Sequence, residues 1–345
     1  METNKILEQD NAHIYAYLHE KAHLFKKTRV LVTGSDGFLG KTIVSFLNFL
    51  NSTKFGPKEQ IEIIAIDYKD YDICNSLEAC IPEGTLHYII NCAGIASPKK
   101  YLKAPLKTLD VSYLGTKNVF HIAALRNTRS ILMFSSSEVY GTPPADMIPT
   151  TEDFIGSVTT FGNRSCYDIG KNVLETLCYV YRDSYNAPVN VLRPFNLYGP
   201  LMYLNDGRII PNICKSMIGG YDFSVYGNGN QTRTYCYVAD AMVYIFNILL
   251  SEKFGEIYNI GSEDEELSAL EIAEKTYALI HPPNSEFVVQ PYPEEYPDDE
   301  PRRRCPDISK VKREFGYAPQ YSFEQGFESC YEYFKSLMTV AHHPV

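Results

Sequence analysis

Arg29-Val-Leu-Val-Thr33-Gly34-Ser-Asp-Gly37-Phe-Leu-Gly40 is the stretch whose reading decides the fold. The short apolar run reads as a buried strand, and Gly34 ends it in a tight turn. From Leu39 to Leu50 the apolar residues recur at helical spacing. Glycines at 34, 37 and 40 let the backbone approach a pyrophosphate, which would rest on the helix N-terminus. The spacing is G-x-x-G-x-x-G, and taken alone it also suits a plain glycine-rich turn.

The neighbouring segments repeat the strand-then-helix pattern. A second strand, 61–66, ends on Asp67, and a third, 86–91, leads into Cys92-Ala93-Gly94. The run 131–134 enters Ser135-Ser136-Ser137, and 189–194 enters Phe195-Asn196. Such alternation indicates βαβ units: an α/β, Rossmann-type doubly wound parallel sheet. Beyond about Tyr198 the alternation breaks into Gly/Pro-punctuated loops, which suggests a smaller C-terminal substrate-binding lobe. Strands are expected near 223–226 and 256–260, a helix at 267–280, and a surface loop over 291–307. The expected division is 1–27, a helical N-terminal extension; 28–197, mainly dinucleotide binding; and 198–345, mainly substrate binding, with segments interleaved.

Composition narrows the function. A net charge of −10 argues against a non-specific nucleic-acid binder, so an anionic ligand would need a local arginine cluster. The longest apolar stretches, such as Ala241 to Leu250, are too short to span a bilayer, and 1–27 has no hydrophobic signal core. Nine scattered cysteines with no C-x-x-C pair read as reduced cytoplasmic thiols, and no metal site is implied.

Two further signals carry chemistry. Asp67, closing the second strand, is the carboxylate expected on the adenosine ribose hydroxyls; it would repel a 2′-phosphate and so favours NAD over NADP, with Lys69 close by. Tyr167 and Lys171 stand one helical turn apart, which sets an ammonium beside a phenol. The positive charge favours the phenolate and would lower its pKa toward working pH, fitting it to take a proton from a sugar hydroxyl. By itself the pair could equally be an ordinary helix-surface contact.

Together, Gly34/Gly37/Gly40, Asp67, the serines after the 131–134 strand and Tyr167/Lys171 resemble the extended short-chain dehydrogenase/reductase superfamily over residues 28–335. The resemblance implies NAD on Gly34, Asp36, Gly37, Phe38, Leu39, Gly40, Asp67 and Ala93, with Asp72 and Ile73 beside the adenine and Lys171 on the nicotinamide ribose. It implies Ser136 as the catalytic hydroxyl and a homodimer. The stretch between Asp67 and Asp72 is shorter than in many relatives.

Positions 137 and 138 decide the step after oxidation at carbon 4 of a sugar. Where carbon 6 is a carboxylate, the 4-keto compound is a β-keto acid and can lose carbon dioxide; where it is hydroxymethyl, water can leave instead. Nucleotide-sugar 4,6-dehydratases carry Asp-Glu here, whereas Ser137 is a poor general acid near neutral pH. Ser137-Glu138 is instead similar to UDP-glucuronate decarboxylases, in which reading Glu138 manages the proton or water at carbon 5.

The similarity continues through Ala96-Ser-Pro98, Arg164-Ser-Cys-Tyr167, Arg193-Pro-Phe-Asn196, Asn205-Asp-Gly-Arg208, Tyr226-Gly-Asn-Gly-Asn-Gln-Thr-Arg233 and Arg304-Cys-Pro-Asp307. It implies a UDP-sugar held by Tyr101 and Tyr226, by Asn196 at the diphosphate-sugar, by Arg208 and Arg304 at the phosphates or nucleotide, and by Arg233 at the sugar carboxylate or diphosphate. Guanidinium forks suit either anion. Two rivals stand beside UDP-glucuronate decarboxylation to UDP-xylose. One is a 4,6-dehydratase or 4-epimerase; the other is a redox-silent dinucleotide-binding sensor or scaffold.

Overall fold

The computed structural model describes residues 2–291 and 302–341. Its centre is a six-stranded, all-parallel sheet built from β1 (Arg29–Thr33), β2 (Glu62–Ile66), β3 (Tyr88–Asn91), β4 (Ser130–Phe134), β5 (Val189–Pro194) and a later strand, Ile257–Ile260. Side-chain alternation covers both faces. Val30, Val32, Ile90, Leu132 and Leu192 enter one apolar core, and Leu31, Ile89, Ile131, Met133 and Val191 enter the other. This is the doubly wound α/β architecture expected from the alternating pattern.

Helices fill the two layers. The second core is closed by α5 (Thr116–Leu125) and α6 (Ser165–Tyr185), and the first by α2 (Phe38–Phe49), following α1 (Glu2–Ala22) in the chain. Between α2 and α5 lie two short helices, α3 (Pro98–Tyr101) and α4 (Pro105–Asp110). The helix of the 241–250 apolar run, Val238–Leu249, is buried along its whole length and lies under α1.

α1 is more than an appendage. Ile6, Ile14, Leu18 and Ala22 are buried in the first core, and burying an Ile or Leu contributes about 1.5–3 kcal/mol each. Asp10 sits in the same stripe and accepts the Tyr237 hydroxyl at 3.0 Å.

A second, mixed sheet lies beyond the carboxyl ends of the first. It contains β6 (Asn196–Tyr198), β8 (Thr232–Tyr237), β10 (Glu266–Ser268) and β12 (Arg303–Arg304). A two-stranded ribbon pairs β7 (Phe223–Tyr226) with β11 (Phe287–Gln290), and β9 is the Ile257–Ile260 strand of the large sheet. α7 (Ile209–Gly219) precedes the ribbon, α8 is the buried Val238–Leu249 helix, and α9 (Ala269–Ile280), α10 (Ser309–Phe315) and α11 (Phe323–Ala341) complete the chain. The expected helix at 267–280 therefore starts two residues later, on a Ser268–Glu271 capping box.

The expected surface loop over 291–307 is corrected in part. Arg303–Arg304 is a strand beside β8, and Cys305 is buried, while 292–301 lie outside the described residues. Among the described residues no helix is long and apolar enough to cross a membrane.

Candidate active site

The sheet order β2-β1-β3-β4 reverses direction between β1 and β3, and a crevice opens at such a switch point beyond the strand ends. Gly34 turns there with φ +65°, and a Cβ on it would stand 2.7 Å from the Ala93 nitrogen. Gly37 caps α2 in extended conformation, so the amides of Phe38, Leu39 and Gly40 open the helix. A Cβ on Gly40 would collide with the Gly34 carbonyl. Only glycine fits at 34 and 40, and the free amides at the helix N-terminus suit a phosphate.

Asp67 follows β2 and accepts the Asp36 amide at 3.1 Å, which ties the turn to the strand end. Lys69 reaches Asp36 at 2.7 Å in an exposed pair. Asp72 accepts the Cys74 amide at 3.0 Å and is paired with Lys107. Burial alone would raise its pKa, but Lys107 and the amide outweigh this and hold it below the usual range. Ile73 is buried against Gly115. These residues form the first of two groups in the site.

The second group assembles on α6. Its buried face, Tyr167, Asp168, Gly170, Lys171, Leu174 and Cys178, follows helical spacing and turns toward the sheet. Tyr167 stacks on Tyr101 of α3, with ring centres 5.3 Å apart and planes at 15°. It also shares a hydrogen bond with Ser136, whose Oγ accepts the Glu138 amide at 3.3 Å. Lys171 donates to the Phe134 carbonyl at 2.7 Å, with Nζ 5.8 Å from the Tyr167 ring centre. That Nζ would lie 3.4 Å from a Cβ on Gly94, so Lys171 links this group to the β3 side of the crevice.

The expected lowering of the tyrosine pKa is not the balance found here. Burial dominates and pushes the Tyr167 phenol up to about 12, against relief from Ser136 and Arg208. Burial likewise brings Lys171 down to about 8. A dry site favours the neutral form of both groups.

Glu138 is the electrostatic centre. Arg304 grips both its oxygens, and Arg164 Nη2 donates to Oε2 at 2.5 Å. Burial would raise the Glu138 pKa, but Arg304 and Arg164, with Arg233 near, hold it below the usual carboxylate range. Register explains the cluster: Arg304 of β12 lies opposite Arg233 of β8. Arg233 is buried and donates to the Thr232 carbonyl at 2.8 Å. Ser137 is buried beside Glu138 in the short turn Ser137–Tyr140.

The remaining candidates spread around this centre. Asn196 donates to the Thr234 carbonyl at 3.1 Å, which places it on the β6–β8 seam. Arg208 starts α7, pairs with Asp206 at 3.0 Å and acts electrostatically on Tyr167. Tyr226 is exposed at the end of the β7–β11 ribbon.

Arg164 was not among the expected site residues, although it stands three places before Tyr167. That spacing places it on the Tyr167 side of α6, and this was the available signal. It also lies 3.8 Å from Asp168. Behind the site, Arg193 forms a two-pronged pair with Glu175, which in turn accepts the Ser135 hydroxyl at 2.5 Å.

Residues 30–261 match the model of the NAD dependent epimerase/dehydratase family. The chain is 33% identical over 319 residues to UDP-glucuronic acid decarboxylase 1 of Danio rerio, covering 89% of this chain and 73% of that protein. It is 34% identical over 324 residues to UDP-glucuronic acid decarboxylase 6 of Arabidopsis thaliana, covering 90% of each. Among solved structures, an epimerase from Methanothermobacter thermautotrophicus matches with a TM-score of 0.79 at 22% identity, over 95% of this chain and 98% of that one. A dTDP-glucose 4,6-dehydratase from Bacillus anthracis, in complex with NAD, matches at 0.73 and 24%, over 90% and 97%. At these identities the structural likeness is one of fold.

Proposed function

Because the chain belongs to the NAD dependent epimerase/dehydratase family, we propose that it converts UDP-glucuronate to UDP-xylose through a 4-keto sugar, with loss of carbon dioxide. The observation that carries this reading is Glu138, a partly buried carboxylate kept ionised by Arg304 and Arg164 beside Ser137 rather than beside an acid. Elimination of water needs a proton donor at the leaving hydroxyl, and neither an ionised Glu138 nor a serine is a good one. Decarboxylation makes no such demand.

The crevice fits a dinucleotide: the diphosphate on the amides of Phe38, Leu39 and Gly40, a ribose at Asp67, and the nicotinamide end toward Lys171. NAD bound there supplies reversible oxidation at carbon 4 of the sugar. The phenolate of Tyr167 would be favoured against its burial by Lys171 and by the positive charge of an oxidised nicotinamide; in that form Tyr167 takes the 4-hydroxyl proton, and Ser136 hydrogen-bonds the same oxygen. With carbon 4 a ketone, the bond to the carboxyl carbon breaks and its electron pair moves into the enolate. Tyr167 and Ser136 stabilise that oxygen. Carbon 5 then receives a proton through a water that ionised Glu138 can orient. Arg233 and Arg304 face the sugar carboxylate or diphosphate, with Arg208, Asn196, Tyr101 and Tyr226 along the rest of the UDP-sugar.

In this reading 28–197 mainly bind cofactor and 198–345 mainly bind nucleotide sugar. The protein acts as a homodimer in the cytoplasm. Exposed Leu106, Tyr113 and Leu114, with Tyr179 and Tyr185 of neighbouring α6, offer a surface for a second copy, and the nine free cysteines fit a reducing compartment. The test is incubation with UDP-glucuronate and NAD, followed by mass spectrometry. Release of carbon dioxide and a UDP-pentose is expected. Retention of all six sugar carbons, with water lost from an NDP-hexose, would overturn the reading.

A further inference from the structure

The crevice between β1 and β3 has two banks: β1 leads through the glycine turn into α2, and β3 leads into α3. One side chain touches both. Tyr203, in the loop between β6 and α7, donates its hydroxyl to the Asp36 carbonyl of the glycine turn at 2.6 Å. Lys41 of α2 lies over the same ring, with Nζ 4.2 Å from its centre, and Lys100 of α3 approaches it at 5.6 Å. An ammonium within about 6 Å of a ring centre is attracted to its face. The loop meets α3 a second time where a Cβ on Gly207 would lie 3.7 Å from the Lys99 side chain.

Core packing does not account for this arrangement, since Tyr203 is 44% exposed. Its contacts instead join the loop to both banks of the crevice. We propose that Tyr203, between Lys41 and Lys100, is a clasp across the cofactor crevice that slows the exchange of NAD. The proposal rests on the reading of the chain as an NAD enzyme. A clasp suits that chemistry, because a cofactor oxidised and reduced within one turnover ends each cycle ready for the next and need not leave. The same loop carries Arg208, so closing it over the cofactor also sets a substrate-side cation in place.

The test loads wild-type protein, Tyr203→Phe and Tyr203→Ala with NADH and chases with excess NAD, following the loss of bound-NADH fluorescence. Tyr203→Phe loses one hydrogen bond and should release NADH about three- to tenfold faster. Tyr203→Ala also loses both cation–ring contacts and should release faster still. Release from both variants at the wild-type rate would overturn the clasp and leave the NAD reading standing. A wild-type protein that takes up no NADH and also releases no NAD when denatured would overturn both.

Discussion

Glu138 and Arg304 form a two-pronged, partly buried ion pair that joins the turn after β4 to the two-residue strand β12. Arg164, at the head of the Tyr167 helix, completes the grip from the other side. Three parts of the chain distant in sequence are thereby tied to one carboxylate. Removing its charge would leave buried guanidinium groups without compensation, which costs about 3–5 kcal/mol when a buried pair is broken outright. Glu138→Gln keeps the shape and one acceptor oxygen, so its cost should be smaller. The expected outcome is a folded protein, by circular dichroism, with turnover lowered about 10²- to 10³-fold, in the range lost with acid–base groups. Near-normal turnover would remove Glu138 from the chemistry.

Arg233 is tested on the same logic. It lies opposite Arg304 in the β8–β12 register and presents its charge beside the pair. Arg233→His shortens the side chain and removes the guanidinium fork. A loss of about 1.5–3 kcal/mol in kcat/KM is expected from one charge-assisted hydrogen bond to an anionic substrate. Steady-state kinetics with UDP-glucuronate check this, and unchanged kcat/KM would mean that the sugar anion sits elsewhere.

The glycine turn gives a cleaner separation of binding from chemistry. A Cβ at position 40 would collide with the Gly34 carbonyl, and the turn must open to admit it. Gly40→Ala should therefore weaken NAD binding at least about tenfold, read by calorimetric titration, with the sheet intact by circular dichroism. Wild-type affinity in Gly40→Ala would show that the turn does not carry the diphosphate.

The features legible in the chain were local. The strand–turn–helix at 29–50 and the spacing from Tyr167 to Lys171 are short-range patterns, and both took the expected form. Features that depend on pairing across the sequence were not legible. Arg303–Arg304 is too short to show period-two alternation, so its strand exists only because β8 supplies the partner. α1 hid its buried face for a different reason. Its stripe at 6, 10, 14, 18 and 22 is interrupted by Asp10, a charge that reads as exposed until Tyr237 supplies a partner. For Tyr167, spacing reveals a neighbouring charge but not the burial that outweighs it.

Tyr167 and Lys171 should separate activity from stability. Tyr167→Phe keeps the ring stacked on Tyr101 and removes only the hydroxyl, so turnover should fall about 10²- to 10⁴-fold with little change in melting. For Lys171, burial lowers the pKa from 10.5 to about 8, so the unfolded chain binds more protons between those values. Stability therefore rises with pH through that window, and the penalty for the buried ammonium is complete below it. Lys171→Met should gain stability relative to wild type at pH 7 compared with pH 10, measured by urea melts, while losing turnover. A pH-independent difference would show that Lys171 is not desolvated.

Asp10 makes the opposite prediction. Burial, with Asp240 adding repulsion, raises its pKa from 3.8 to about 7 against the Tyr237 hydrogen bond. Between those values the folded protein binds the extra proton, so stability falls as pH rises from about 4 to 7, and the penalty is complete above 7. A rise of that size corresponds to roughly 4 kcal/mol at 1.36 kcal/mol per unit. Asp10→Asn cannot ionise, and its amide oxygen can still accept the Tyr237 hydroxyl. Relative to wild type, the variant should therefore be more favoured at pH 8 than at pH 4, in paired urea melts across the range. A difference that does not change with pH would mean that Asp10 titrates normally.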